Sequence, residues 1–177
     1  MTNRKKSSKL LLIFAVGILS ALLAFSVSAK GGTMSGDGSR DNPYLIDDAA
    51  DLIAFRDEVN VQTADAASTL CAKLTADIDI SDAAWTPIGN SGYATQGYAG
   101  VFDGDGHKIS GLKISSSASN QGLFGYLGLD GSGTNRALIK NLAVSGTVTS
   151  SGNYIGGIAG QMTSAEIVNC SFSGSVS

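Results

Sequence analysis

The chain has 177 residues, with 12 Lys or Arg, 15 Asp or Glu and a formal net charge of −3. Four of the basic residues and no acidic residue lie in residues 1–29, so residues 30–177 carry eight basic against fifteen acidic side chains, a net charge of −7. This acidic balance argues against nucleic-acid binding, which needs a clustered basic surface. The length suits one domain.

Residues 1–29 have the pattern of a signal peptide. A basic head ending at Lys9 precedes an uncharged, mostly apolar run from Leu10 to Val27, and Ala29 offers a processing site before Lys30. The alternative is a retained membrane anchor, because a run of 18 residues is at the lower limit for spanning a bilayer. We predict cleavage and a secreted or cell-surface location, with membrane attachment only through an uncleaved segment.

Two short segments come next. Residues 30–42 are rich in Gly, Ser, Asp and Lys, a composition typical of a flexible linker. Residues 43–69 are predicted to form an N-terminal cap with one helix from Asp48 to Val59, for which Asp47 is the predicted N-cap. Its apolar residues recur on one face, at Leu52, Phe55 and Val59.

Residues 70–177 are predicted to be short β segments that repeat. Segments 109–114, 139–144 and 167–172 each have apolar residues at relative positions 0, 3 and 5, with Gly or Asn at position 2. So short a unit must stack on its neighbours to bury its apolar face. A left-handed backbone at position 2 would turn the chain there, and we expect stacked, hydrogen-bonded corners at Asp77, Gly111, Asn141 and Asn169. Ordinary hairpin turns in an antiparallel β domain are the alternative.

The phase of the repeat predicts which side chains face inward. We expect burial of Ile78, Ile80, Leu112, Ile114, Leu142, Val144, Cys170 and Phe172, with Lys113, Ala143 and Ser171 outward. A second element recurs upstream of each corner, at 100–104, 122–125 and 157–160, and residues 128–136 are predicted to be an inserted loop. No capping element follows segment 167–172, so we expect the array to be incomplete at its C-terminus, with an open end there.

The order of these motifs resembles a known family. Asp41-Asn42-Pro43-Tyr44-Leu45-Ile46, the helix, segments 73–80 and 85–89, residues 102–109 and the later Gly-rich copies together resemble bacterial surface proteins with the GLUG repeat. That repeat also occurs in the non-catalytic region of immunoglobulin-A-protease-type metallopeptidases. The resemblance covers about residues 40–177. It implies an all-β fold, a right-handed parallel β-helix (solenoid) capped by the N-terminal α-helix.

The most site-like cluster is Asp103-Gly104-Asp105-Gly106-His107. Asp103 and Asp105 could be calcium ligands or paired glycosidase carboxylates, but no further acidic ligand completes an EF-hand loop. A tight turn, with glycines at positive φ and aspartates capping the backbone, is the favoured interpretation. His107 is the only histidine, which excludes a zinc-peptidase site in this chain, and no Gly-x-Ser-x-Gly motif supports a serine hydrolase.

Aromatic and thiol groups are the remaining candidates. A sugar-stacking surface could form from Trp85, Tyr93, Tyr98, Tyr126 and Tyr154, of which Tyr93 and Tyr98 are the better candidates, whereas Trp85 is predicted to pack under the cap. Cys71 and Cys170 could form a disulfide in an exported protein. We favour free thiols, because stacking in order would place them three strand steps of about 4.8 Å apart.

These observations predict a non-enzymatic, secreted or cell-surface module that acts as an adhesin, spacer or binding platform. Its partner would be an extracellular ligand, either a carbohydrate or a host or cell-surface protein, and we assign no catalytic, cofactor or metal residue. One alternative is a carbohydrate-active β-helix enzyme, a polysaccharide lyase or an inverting glycosidase. The other is the spacer fragment of a larger surface metallopeptidase whose catalytic domain lies elsewhere.

Overall fold

The computed structural model describes residues 34–62, 68–90 and 97–177. The predicted signal peptide, residues 1–29, lies outside these residues. Within the described ranges, no helix combines the length and apolar character needed to cross a membrane.

The described residues form nine strands and one helix. In chain order they are β1 (Tyr44–Ile46), α1 (Ala49–Gln62), β2 (Ala72–Leu74), β3 (Ile78–Asp79), β4 (Val101–Asp103), β5 (Lys108–Ser116), β6 (Phe124–Leu127), β7 (Leu138–Ser150), β8 (Ala159–Met162) and β9 (Glu166–Val176).

Every pairing between these named strands is parallel. In the larger sheet β1, β2, β4 and β7 lie side by side, β7 also pairs with β5 and β9, and β5 pairs with β3. The second sheet consists of β6 and β8. The fold is therefore mostly β, a curled parallel sheet with one helix, and the antiparallel hairpin alternative is wrong.

Strands of successive repeats pair with one another, and this register aligns the core. Phe102 lies on Ala72 and Ile139 lies on Phe102, and all three are buried. In a second column, Ile109 pairs with Ile78 on one side and with Val144 on the other. Burial of such columns is the main stabilising contribution, at about 25 cal/mol per Å² of apolar surface.

Helix α1 begins one residue later than expected. The Asp51 amide donates to Asp48 Oδ1 at 3.0 Å, which makes Asp48 the N-cap in place of the predicted Asp47. The predicted apolar face is confirmed, because Leu52, Phe55 and Val59 are fully buried. The Phe55 ring centroid lies 5.8 Å from that of Phe102, so the helix packs onto the same core as the sheet.

The stretch 34–42, which is part of the predicted linker, contacts the body of the fold. Ser35 forms an antiparallel bridge with Leu45, and the Cys71 amide donates to the Gly38 carbonyl at 2.7 Å. Gly38 itself has φ +74° and lies against the Tyr44 ring, where a larger side chain would clash. Composition alone misses this arrangement because the same small residues that suit linkers also suit close backbone approach.

The predicted strand phase is confirmed. The inward positions of β5 and β7, among them Leu112, Ile114, Leu142 and Val144, are buried, and Lys113 is exposed. Cys170 and Phe172 are only partly buried, although both pack against the core. They are less covered because β9 is an edge strand of the described sheet, with β7 on one side only.

The predicted corner column is correct for two of its four members. Asn141 and Asn169 have φ of 54° and 52°, and Asn169 Nδ2 donates to Asn141 Oδ1 at 2.9 Å. Gly111 also has positive φ, but it lies at a register shift between Ile109 and Leu112 and does not stack on Asn141. Asp77 has no positive φ and contacts His107 instead.

The second recurring element also needs a correction. Segments 122–125 and 157–160 are equivalent, because Phe124 pairs with Ala159. Segment 100–104 belongs elsewhere, since Phe102 pairs with Ile139. The true preceding copy is 87–89, where Ile88 forms a parallel bridge with Phe124.

The inserted loop at 128–136 is confirmed. Its ends meet, because the Ala137 amide donates to the Gly128 carbonyl at 2.9 Å and Leu129 forms an antiparallel bridge with Arg136. Inside the loop, the Asp130 carboxylate accepts hydrogen bonds from Ser132, Thr134 and Asn135.

Candidate functional site

The Asp103–His107 segment is a tight turn between β4 and β5. Asp105 has φ 50° and Gly106 has φ 87°, and the Asp105 amide donates to Asp103 Oδ1 at 2.9 Å. The His107 amide closes the turn on the Gly104 carbonyl at 2.8 Å. The next repeat supports it, because the Gly106 amide donates to the Asn141 carbonyl at 2.9 Å. This geometry agrees with the favoured interpretation of the segment as a turn.

Both carboxylates of the turn are engaged with neighbouring strands. Lys140 Nζ lies 3.0 Å from Asp103 Oδ2, and Asn141 Nδ2 donates to Asp103 Oδ1 at 3.1 Å. Lys73 Nζ lies 3.0 Å from Asp105 Oδ2. Partial burial alone would raise the pKa of Asp103, but the hydrogen bonds from the Asp105 amide, Lys140 and Asn141 outweigh it and lower the pKa below its ordinary value. A carboxylate held ionised in this way is a poor general acid.

His107 lies beside an acid of the preceding repeat. Its Nδ1 is 3.3 Å from Asp77 Oδ1, and the Lys108 amide donates to the same oxygen at 3.1 Å. That backbone bond, with smaller contributions from His107 and the Lys108 charge, lowers the pKa of Asp77 below its ordinary value. Within the described part of the chain, no serine hydrogen bonds to the His107 ring. The geometry therefore assembles no Ser-His pair at this turn.

A charged groove lies next to the turn, across β2, β4, β7 and β9. It consists of two adjoining depressions of about 230 and 400 Å³ that share Arg40 and Leu138. Its charged side chains are Arg40, Lys73, Asp103, Arg136, Lys140 and Glu166. Arg40 and Pro43 line it from the segment before β1, and Thr134, Asn135 and Arg136 line it from the loop before β7.

A separate depression, of about 600 Å³, lies on the outer side of β5 and β7, next to the turn 81–84. We call it the hydroxyl groove, because Ser81, Ser115, Thr147 and Thr149 line it. Its one basic side chain, Lys113, donates through Nζ to the Ser81 carbonyl at 2.9 Å.

The aromatic candidates do not form a sugar-stacking surface in the described residues. Tyr98 and Tyr126 are buried, with Tyr98 stacked on Phe124 at 5.5 Å, so the prediction for Tyr98 is wrong. Tyr154 is exposed. Tyr93 lies outside the described residues.

Trp85 packs under the cap, as predicted. Arg56 of α1 lies 5.0 Å from the Trp85 ring centroid, and the indole Nε1 donates to the Leu123 carbonyl at 3.0 Å. This position fixes the side chain between the helix and the sheet and leaves it almost fully buried.

The two cysteines lie in different repeats. Cys71 precedes Ala72, and the register runs from Ala72 to Phe102, to Ile139 and then to Ile167, three residues before Cys170. Both thiols are free. Cys71 is buried, and burial raises the pKa of the half-exposed Cys170 thiol.

Two features of the surface were not predicted. Asp47, Asp48 and Asp51 gather at the start of α1 with carboxylate oxygens within 4.8 Å of one another, and we assign them to helix capping. Arg40 joins the charged groove although, apart from Pro43, its neighbours there lie more than thirty positions away in sequence. Nothing in the local pattern around Arg40 signals this position, since only the register of β2, β4 and β7 brings the groove together.

Comparison with known proteins gives one family match. Residues 151–177, which contain β8 and β9, match the family model of the GLUG motif. The chain carries a GLUG motif. This confirms the predicted resemblance. Of the paired residues Phe124 and Ala159, only Ala159 lies within the matched segment.

Two longer relatives and one solved structure are similar to this GLUG-motif chain. Halomucin of Haloquadratum walsbyi is 32% identical over 164 residues, which cover 75% of this chain and 2% of halomucin. A candidate Gly-rich membrane protein of Evansella cellulosilytica is 32% identical over 136 residues, covering 71% of this chain and 14% of that protein. The crystal structure of a candidate immunoglobulin A1 protease from Bacteroides ovatus has a TM-score of 0.54 and 25% identity, covering 79% of this chain and 50% of that one. The chain thus spans at most half the length of these proteins.

Proposed function

We propose that this chain is a non-enzymatic module of the cell surface or of a secreted protein, built as a right-handed parallel β-helix that acts as a binding platform, adhesin or spacer. The stacked parallel register from β1 through β9 and the capping position of α1 support the solenoid. The names of the relatives, a halomucin and a Gly-rich membrane protein, support a location at the cell surface, as does the signal-peptide pattern of residues 1–29.

One observation carries the non-enzymatic part of the proposal. Asp103 and Asp105 are the clustered carboxylates that are the best candidates for catalytic groups. Each is paired with a lysine of a neighbouring strand and stabilises the turn. A lyase or inverting glycosidase needs an acid or base free to exchange a proton with the sugar. Asp103 is instead held ionised by the bonds described above.

Two measurements test this proposal. Intact producing cells are treated with a protease or an impermeant biotin reagent, and we expect the chain to be cleaved or labelled without lysis or to be found in the medium. The purified chain is incubated with a panel of polysaccharides and assayed for new reducing ends and unsaturated products, and we expect none. Retention inside the cell would contradict the location, and turnover lost in Asp103→Asn would contradict the non-enzymatic proposal.

The spacer of a larger surface metallopeptidase is a second candidate. The likeness to the candidate immunoglobulin A1 protease, half of whose chain is covered, favours it. Sequencing the transcript beyond the codon for Ser177 tests this role. A reading frame that continues into a domain with a two-histidine zinc motif would support it, and a stop codon at that point would count against it.

A further inference from the structure

The charged groove has one basic side chain without a partner. Lys73, Lys140 and Arg136 each lie within 4 Å of a carboxylate: Asp105, Asp103 and Glu166, respectively. Within the described ranges, the Arg40 side chain makes no ion pair or hydrogen bond, yet it lines both depressions of the groove. Its guanidinium is therefore available for a ligand, and its five N–H groups match a carboxylate in two parallel bonds.

The charges of the groove favour an anionic ligand. Four basic side chains line it against two acidic ones, although residues 30–177 as a whole carry nearly twice as many acids as bases. Lys73, Asp103 and Lys140 occupy one register position on β2, β4 and β7, so the Cα atoms of the two lysines lie two strand spacings apart, roughly 9.6 Å. An extended ligand with repeated carboxylates can contact Arg40 and both lysines at once.

The floor of the groove favours a saccharide over a peptide. Val101 and Leu138 pair in register and are half-buried, so they offer an apolar surface for the C–H faces of sugar rings. The backbones of β2, β4, β7 and β9 are already hydrogen-bonded to one another here. A peptide lying across this face would find the strand backbones between β2 and β9 already paired, so recognition at the floor depends on side chains.

We propose that the charged groove binds a polyuronate, a saccharide chain that carries a carboxylate on each sugar. Arg40 holds one carboxylate in a bidentate pair, Lys73 and Lys140 attract the neighbouring ones, and Val101 and Leu138 contact the ring faces. This names the ligand class for the binding-platform role and so rests on the proposed function.

The test is isothermal titration of the purified chain, expressed from the full sequence, with tetragalacturonate at low ionic strength. The methyl ester of the same oligosaccharide is the uncharged control ligand. Arg40→Gln removes the guanidinium, and Arg40→Lys keeps the positive charge but loses the paired N–H donors of the guanidinium. Lys113→Gln is the control variant, which removes one positive charge from the hydroxyl groove. Circular dichroism and the unfolding midpoint confirm that each variant folds, and a polyglutamate peptide of equal charge tests the other class of polyanion.

We expect tetragalacturonate to bind, and the methyl ester and Arg40→Gln each to weaken binding by about tenfold or more. Arg40→Lys should have an intermediate effect, and Lys113→Gln should stay within about twofold of the parent chain. No heat at millimolar tetragalacturonate, equal binding of the ester, or equal losses in Arg40→Gln and Lys113→Gln would overturn the proposal. Polyglutamate binding as tight as tetragalacturonate would also overturn it. Because surface exposure and turnover are measured separately, a negative titration leaves the outcome of those experiments unchanged.

Discussion

Asn141 is the position at which the corner of the fold can be tested most directly. It has φ 54°, its Nδ2 donates to Asp103 Oδ1 at 3.1 Å, and its Oδ1 accepts from Asn169 Nδ2 at 2.9 Å. Asn141→Gly keeps a backbone that accepts positive φ and loses both side-chain bonds, each with a net contribution of about 1 kcal/mol or less at a half-exposed site. Asn141→Val loses the same bonds and adds about 1–2 kcal/mol of strain from a β-branched residue in the left-handed region.

We therefore expect a loss of unfolding free energy of about 1–2 kcal/mol for Asn141→Gly and about 2–4 kcal/mol for Asn141→Val. At Asn169, with one such bond and an exposed position, Val should reduce stability by about 1–2 kcal/mol and Gly by less. Urea unfolding monitored by circular dichroism measures these differences, provided that the m-value is unchanged. Thr147→Val is the matched control on an ordinary, exposed position of β7 and should change stability little. Equal stability of Asn141→Val and Asn141→Gly would refute the left-handed corner.

Four further outcomes are expected. Leu142→Ala should reduce stability by about 2–5 kcal/mol in urea unfolding, because its buried side chain leaves a cavity between repeats. Tyr98→Phe should leave stability unchanged or raise it, because the buried hydroxyl has no hydrogen-bond partner among the described residues; a loss above about 1 kcal/mol would show that a partner exists. The Asn135 side chain and its neighbours lower the pKa of Asp130 from 3.8 to about 2, so this carboxylate supports its loop above about pH 4 and stops doing so as pH falls towards 2; an NMR titration against Asp130→Asn measures it. Hydrogen exchange should be faster in β9, around Ile167 and Phe172, than in β7, because β9 is bonded on one side only, and uniform protection in a strict monomer would contradict this.

The strand phase could be predicted because it depends on local alternation. Leu142 and Val144 lie two apart, so they share a face whatever they pair with, and both are buried. The same reasoning gave Asn141 and Asn169 as corners, because few residue types accept a left-handed backbone. Strand phase and corner positions can therefore be predicted from the residues that are adjacent in sequence.

The order of stacking could not be predicted in the same way. Segment 109–114 has the same pattern as segment 139–144, yet Ile109 pairs with Val144 and not with Ile139. A shared pattern of apolar residues describes one strand and does not specify its partner, and the extra residue at Ser110-Gly111 shifts the register. The charged groove depends on this register, because it brings Lys73, Asp103 and Lys140 into line.

The loop at 128–136 lines the charged groove without helping to position the strands. Because Gly128 and Ala137 are hydrogen-bonded to each other, the segment between them can change in length or composition without moving β6 or β7. Its residues Thr134, Asn135 and Arg136 nevertheless form one wall of the charged groove. Variation or deliberate insertion here can therefore reshape what the groove accepts while the stacked repeats keep their register, which makes this loop a natural position for grafting new recognition sequences.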